Sequence, residues 1–138
     1  MSLCLHLPFP YSLDDPLEQG GLLFGLVDGD AAHAHLITGP QPDDDRGTHH
    51  ISLTSPAHTR AAGWAQAQGW HYLGYWHSHP AGTPPVPSEV DTTDFHAAAD
   101  RLFPHLPFLD FPIITGGVLK CFRLHHDLTL KEVKIHGL

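Results

Sequence analysis

The sequence has few basic residues and no long apolar run, and each shortage argues against a class of protein. Only 7 Lys and Arg stand against 15 Asp and Glu, a formal net charge of −8, so a basic surface for nucleic acid is not expected. No apolar run approaches the roughly 18 residues that a membrane span needs, and the basic flank of a signal peptide is missing from the first residues. We therefore expect a cytoplasmic protein that binds neither nucleic acid nor membranes.

Cysteine is also scarce. Cys4 and Cys121 are the two cysteines, too few for a disulfide framework, and each lies in an apolar, strand-like run that favours a buried thiol. His125 and His126 follow Cys121, but residues in a strand alternate between faces, so Cys121 and His125 share a face that His126 does not. A second metal site is therefore not predicted there.

The chain alternates strand-like and helix-like segments within 138 residues. This length suits one domain with its own core, so we expect a single domain over residues 1–138. The interleaved pattern predicts an α/β class with a mixed β-sheet flanked by helices, in which the first strand is an edge or entry strand. Strands are predicted at residues 3–7, 21–27, 31–38, 50–53, 72–79, 111–115, 118–124 and 130–135, and helices at 12–20, 57–68 and 88–102.

Histidine is the abundant residue, with 14 in the chain. Imidazole is a common metal ligand, but it is also an ordinary polar surface group. Position along the chain has to separate the two roles. Outside the motif described next, the histidines, including His49, His50 and His105, are expected to be surface polar groups.

A pair of histidines lies where a predicted buried strand ends. His77 and His79 are two residues apart, so both side chains project from one face of the strand and can bind one ion. Asp91 follows after a proline-rich loop. Two imidazoles, one carboxylate and an open fourth position are typical of a catalytic zinc site. The spacing of Ser88 and Asp91 is also that of a helix capping box, so these two residues have a purely structural alternative.

The residues around this pair resemble the JAMM motif of the MPN+ (JAB) metalloproteases. The matching segments are Gly-Tyr-Trp-His-Ser-His-Pro at residues 74–80 and Ser-Glu-Val-Asp at residues 88–91, with an upstream Pro-Leu-Glu-Gln-Gly-Gly at residues 16–21. The resemblance covers residues 11 to about 124. The loop between His79 and Asp91 is one residue longer than the family pattern, and we expect the proline-rich loop to absorb the extra residue.

The resemblance implies a fold, a cofactor and a role for each motif residue. The implied fold is the MPN/JAB fold, which is similar to that of cytidine deaminases. The implied ligands of a Zn²⁺ ion are His77, His79 and Asp91, and such an ion acidifies water and polarises a carbonyl group. Glu18 is implied as the general base, although an isolated glutamate is more often a solvated helix residue. Ser88 is implied as a hydrogen-bond donor to the developing oxyanion.

Members of this family with the complete residue set cleave isopeptide or peptide bonds at the C-terminus of ubiquitin or ubiquitin-like proteins. Short members resemble those of prokaryotic ubiquitin-like conjugation systems, so the implied duty is precursor processing or deconjugation, with other components of such a system as further partners. One alternative is a non-catalytic MPN scaffold. Another is a JAMM peptidase of a different substrate class, such as a phage-tail or cell-wall peptidase. A zinc deaminase is disfavoured because its Pro-Cys-x-x-Cys ligand pair is missing.

Overall fold

A computed structural model describes residues 1–102 and 106–137, so the prediction for His105 lies outside the described residues. Within that part of the chain, strands and helices interleave as predicted for an α/β protein. Neither helix is long and apolar enough to span a membrane. The elements are β1 Ser2–Leu5, β2 Gly20–Asp28, β3 Ala31–Ile37, β4 Asp45–Arg46, β5 Ile51–Ser52, α1 Pro56–Ala67, β6 His71–Ser78, α2 Glu89–Leu102, β7 Phe108–Thr115, β8 Val118–His125 and β9 Leu130–His136.

The main sheet is mixed, but it closes into a barrel in the order β1-β3-β2-β6-β7-β8-β9. The prediction that the first strand lies at an edge is wrong, since β1 pairs in parallel with β3 on one side and with β9 on the other. β6 and β7 are also parallel, whereas the hairpins β2–β3, β7–β8 and β8–β9 are antiparallel. A flanked sheet is therefore too simple a description, because this sheet curls onto itself.

A buried arginine bridges strands across this closure. Arg123, on β8, is fully buried, and its guanidinium binds both carboxylate oxygens of Asp110 on β7 at 2.6 and 2.8 Å. The same guanidinium donates to the backbone oxygen of Ser2 on β1 at 2.9 Å and lies 3.6 Å from the ring centroid of Phe108. Bidentate arginine–carboxylate pairs are strong and directional. One side chain thus joins three strands, two of them far apart in sequence.

Helix α2 is fixed to the sheet by aromatic packing. Phe95 on α2 is fully buried and stacks on Phe111 of β7, with ring centroids 4.0 Å apart. Tyr75 of β6 meets both rings edge-on, at 5.7 and 5.0 Å. Burying a Phe side chain contributes about 2–3 kcal/mol. This packing sets the position of the first turn of α2 relative to the end of β6.

The helix predicted at residues 12–20 is wrong, because this described segment forms a turn and then runs extended into β2. Asp15 accepts a hydrogen bond from the backbone N–H of Leu17 at 3.0 Å, which stabilises the turn. Gln19 binds both backbone polar groups of Ser12, at 2.8 and 2.7 Å. The Gln19 side chain therefore closes a turn in the segment where a helix was predicted. Glu18 consequently lies in an extended segment and not near the end of a helix.

His58 departs from the expected surface location of the histidines. It lies on α1, is 3 % exposed, and both ring nitrogens have partners. Its Nδ1 is 2.8 Å from the hydroxyl of Thr38, and its Nε2 is 3.0 and 2.9 Å from the two carboxylate oxygens of Asp44. Helix α1 itself begins as predicted, with Ser55 as N-cap and Pro56 in the first turn. We call these three residues the Thr38–His58–Asp44 chain.

Candidate active site and metal centre

The end of β6 fixes the two motif histidines. His77 is paired with Gly20 of β2 on one side and with Ile113 of β7 on the other. The backbone N–H of His79 continues this ladder by donating to the oxygen of Ile114 at 2.9 Å. Because alternate residues of an extended chain face the same way, both imidazoles point to one side of the sheet end. They are therefore held by backbone pairing rather than by a flexible loop.

The first turn of α2 supplies the carboxylate. Asp91 accepts a hydrogen bond from the backbone N–H of Ser88 at 2.9 Å, and the Ser88 hydroxyl accepts one from the backbone N–H of Asp91 at 3.1 Å. The capping box is thus present. The same carboxylate also reaches the histidines, with 3.2 Å to the Nε2 of His77 and 2.9 Å to the Nε2 of His79. The longer loop has been absorbed, since it still brings Asp91 to both rings.

His77, His79 and Asp91 form a cluster whose ligand atoms all lie within 4.8 Å of one another. The two Nε2 atoms are 3.1 Å apart. The Nδ1 of His79 lies 2.9 Å from the carbonyl oxygen of Pro84, which can only accept, so this nitrogen donates and the Nε2 atom faces the cluster. The buried Nδ1 of His77 has no hydrogen-bond partner among the described residues.

This donor set fits a zinc ion. Two imidazole nitrogens and a carboxylate converge with more lone pairs than hydrogens, so a proton or a cation between them is needed to make the cluster favourable. Two His and one carboxylate, with a fourth position left for water or substrate, are the ligand types of catalytic zinc sites. The bond from His79 to Pro84 is the kind of outer contact that orients a ligating imidazole.

Three ionisable groups of the candidate site, which line the cavity, have shifted pKa values with identifiable causes. Burial raises the pKa of Glu18, and the nearby charges of His77 and His79 oppose this only in part. The hydrogen bond to Asp91 raises the pKa of His79. Burial alone would raise the pKa of Asp91, but the hydrogen bonds from His77 and His79 outweigh it and hold that pKa well below its ordinary value. The cluster is therefore strongly coupled, as in many functional sites.

Glu18 is positioned through its neighbour Gln19. The backbone N–H of Gln19 donates to the hydroxyl of Ser78 at 2.8 Å, and the backbone N–H of Ser78 donates to the oxygen of Gln19 at 2.8 Å. Ser78 lies between the two motif histidines, so its hydroxyl ties the glutamate segment to the ligand strand. Sequence reasoning missed this role, although a small hydroxyl residue between the two histidines was the available signal.

The hairpin of β4 and β5 holds the other side of the glutamate. The backbone N–H of Glu18 donates to the backbone oxygen of Gly47 at 2.8 Å. The Nε of Arg46 donates to the backbone oxygen of Glu18 at 2.8 Å. Arg46 also forms an ion pair with Asp15. Arg46 was not predicted, because its loop gives no pattern that indicates where it packs.

A glycine at the start of β2 allows the strands to approach each other. A Cβ atom on Gly21 would lie 1.8 Å from the backbone oxygen of Thr38, so a larger residue would force β2 away from the end of β3. The backbone N–H of Leu22 donates to the Thr38 hydroxyl at 2.7 Å in this contact. The glycine that follows Glu18 in the motif therefore has a packing reason.

All five residues predicted to form the site line one cavity of about 960 Å³. This volume lies at the upper end of the range for small-ligand pockets. Ser88 lies at the exposed rim, and Glu18 is buried deeper. The structure thus brings together His77, His79, Asp91, Glu18 and Ser88, as the sequence predicted. Their chemical roles remain predictions.

The fold and the site define an α/β protein with a candidate two-histidine, one-aspartate metal centre at the end of a central strand. The chain belongs to the family of prokaryotic homologs of the JAB domain, which matches residues 12–124. The resemblance to JAB proteins is thereby confirmed. Among solved structures, the chain is similar to protein DSY2949 from Desulfitobacterium hafniense, with 29% identity over 89% of this chain and 80% of that chain and a TM-score of 0.64. Curated proteins yielded no match.

Proposed function

We propose that this protein is a zinc-dependent peptidase or isopeptidase. The observation that carries the proposal is the convergence of the His77, His79 and Asp91 ligand atoms within 4.8 Å, in a cavity that Glu18 also lines. A structural zinc site uses all its coordination positions for protein ligands, whereas three ligands beside an open cavity leave room for chemistry. The family includes metalloproteases, and this chain retains every residue of their motif.

Each residue has a task that its position supports. A zinc ion held by His77, His79 and Asp91 would supply a Lewis acid that polarises the scissile carbonyl and acidifies water. Glu18, whose pKa is raised by burial, accepts the proton of the attacking water and passes it to the leaving amine. Among the described residues, the Ser88 hydroxyl accepts a bond from the Asp91 backbone and donates none, so its own hydrogen can stabilise the carbonyl oxygen as charge develops.

For the substrate we propose the C-terminal tail of a ubiquitin-like protein, cleaved from a precursor or from a conjugate. Two features of the cavity support an extended peptide. Among the described residues β5 pairs only with β4, so the other edge of Ile51–Ser52, which lines the cavity, can pair with a peptide backbone. Val90, 69 % exposed on α2, offers an apolar contact on the opposite wall. The identity of the tail follows from the family resemblance.

The first test is the zinc content of the untagged, dialysed protein, measured by plasma mass spectrometry. We expect about one zinc per chain, as for a single catalytic site, and its loss in His77→Ala. His96→Ala, which removes a histidine of α2 that does not line the cavity, is the matched control. No zinc in a folded wild-type chain would contradict the proposal and leave the non-catalytic scaffold.

The second test is cleavage of ubiquitin-like proteins fused at their C-terminus to a reporter. The wild-type protein should release the reporter from at least one fusion, and His77→Ala should release none. A zinc-loaded wild-type chain that cleaves no ubiquitin-like fusion but cleaves short peptides would contradict the substrate proposal and keep the peptidase proposal.

A further inference from the structure

A second group of histidines lies on the outer face of the barrel. Ala32 and Ala34 of β3 are fully buried, so the alternate residues His33 and His35 face away from the core. His6 directly follows β1, and its backbone N–H continues the pairing with β3 by donating to Ala34 at 3.1 Å. We call His6, His33 and His35 the outer histidine cluster. None of the three lines the cavity of the candidate active site.

The rings of the outer histidine cluster are in direct contact. The Nε2 of His6 lies 3.1 Å from the Nδ1 of His33. The rings of His6 and His35 stack with centroids 4.3 Å apart, and His35 stacks on Trp70 at 5.5 Å. Cys4 lies directly opposite His33 in the register of β1 and β3. Cys4 is half-buried and a free thiol, rather than a core residue as predicted.

The chemistry of these groups favours a particular class of ion. The 3.1 Å between the nitrogens of His6 and His33 equals the separation of the two Nε2 atoms in the candidate metal centre. Imidazole and thiol groups suit zinc, copper and nickel, whereas calcium and magnesium require oxygen ligands, which these side chains do not offer. His6 is exposed, so an ion from solution can reach the pair.

We propose that the outer histidine cluster is a second metal site, which binds a divalent transition-metal ion through His6 and His33. His35 and Cys4 flank the pair. Among the described residues the three-ligand cluster is that of the candidate metal centre, so the proposed site has His6 and His33 as its two protein ligands. The site does not depend on the proposed peptidase activity, because it shares no residue with the active-site cavity.

The test is equilibrium dialysis of the full chain against Ni²⁺, followed by counting nickel per chain. His6→Gln/His33→Gln should bind about one ion fewer than the wild type, as expected when the ligands of one site are removed. His96→Gln, with the same chemical change on α2, should match the wild type. The nickel content of His77→Ala measures binding at the candidate metal centre separately, so the loss of one site can be distinguished from the loss of the other.

A thermal unfolding curve provides a second readout. An ion that binds only the folded chain raises Tm, so Ni²⁺ should raise the Tm of His77→Ala and have little effect once His6→Gln and His33→Gln are added. If the double variant fails to fold, the exposed single variant His6→Gln serves in its place. Equal nickel content and an equal Tm shift with and without these substitutions would overturn the proposal.

Discussion

Two histidine–aspartate clusters of this protein differ in how completely the hydrogen-bonding capacity of their polar atoms is satisfied. In the Thr38–His58–Asp44 chain, both nitrogens of the ring have a partner, and the carboxylate also accepts from the backbone N–H groups of Ser55 and Gln41 at 3.0 Å. In the candidate metal centre, the nitrogens face each other and a carboxylate, and one buried nitrogen has no partner among the described residues. Both clusters combine imidazole with carboxylate, and they differ in how the ring nitrogens are partnered.

The comparison indicates that the saturation of its hydrogen bonds distinguishes a structural histidine from a candidate metal ligand. A satisfied buried network stabilises one conformation, whereas a partly satisfied one costs free energy unless something else binds. The candidate metal centre opens into a cavity, and the Nε2 atoms of His77 and His79 face each other and the Asp91 carboxylate. The Thr38–His58–Asp44 chain is closed on itself. The predictions below test whether the candidate metal centre acts on a substrate while the Thr38–His58–Asp44 chain only stabilises the fold.

The largest effect is expected from Glu18→Gln. This change removes the proton acceptor but keeps the size of the side chain, so cleavage should be abolished while zinc content stays that of the wild type. Parallel measurements of turnover and bound zinc check it. Activity that survives in Glu18→Gln would remove the general base from the mechanism.

A smaller loss is expected from Ser88→Ala. Removing an oxyanion donor lowers kcat on the order of 10²-fold or more, and zinc should remain bound. Ser88→Thr keeps a hydroxyl and the helix cap, so it should recover much of the rate. A wild-type rate in Ser88→Ala would leave Ser88 with the capping role alone.

His58→Ala should affect stability and not chemistry. The substitution leaves a buried carboxylate and a hydroxyl with fewer partners, which costs roughly 1–3 kcal/mol in the free energy of unfolding. Urea unfolding measures this, with the exposed histidine variant His71→Ala as control. Zinc content should be unchanged, and loss of zinc from folded His58→Ala would break the distinction between the two clusters.

The smallest effect is a difference in acid stability. Burial alone would raise the pKa of Asp44 above its ordinary 3.8, but hydrogen bonds from His58, Ser55 and Gln41 outweigh it and lower that pKa. As pH falls, the Asp44 carboxylate is therefore protonated in the unfolded chain before it is protonated in the folded chain. Its contribution to the free energy of unfolding is present above about pH 4 and is lost as the pH falls through the lower pKa of the folded state. Asp44→Asn should show a shallower loss of stability than the wild type in urea unfolding below pH 4. Identical slopes would mean that Asp44 does not titrate as its contacts indicate.

Local patterns in the sequence were sufficient for most elements and for the candidate site. Patterns of apolar residues located most strands, Ser55-Pro56 marked the start of α1, and the segments that resemble the JAMM motif, with a histidine pair at a strand end and an aspartate on the next helix, indicated the candidate metal centre. Each of these signals involves residues close together in the chain, where strand and helix geometry dictate what shares a face.

Contacts between distant segments could not be predicted in this way. Nothing near β1 indicates that it pairs with β9, and a charged residue in a strand such as Arg123 is ordinarily read as solvent-facing. The turn at residues 12–20 depends on a side chain, Gln19, folding back on Ser12. His58 is buried because partners from two other elements meet it. In each case tertiary contacts override local preference.

The closure of the barrel has a consequence for synthesis of the protein. Among the strands of the barrel β1 is made first, whereas its partner β9 and the strand that carries Arg123 are made last. At about 5–20 residues per second, the nascent chain spends several seconds with one edge of β1 exposed. Cotranslational folding can complete the hairpin of β2 and β3 early, whereas closure waits for the chain to reach residue 136. Ribosome-bound chains stalled before β9 should therefore be more susceptible to proteases and to aggregation than the released protein.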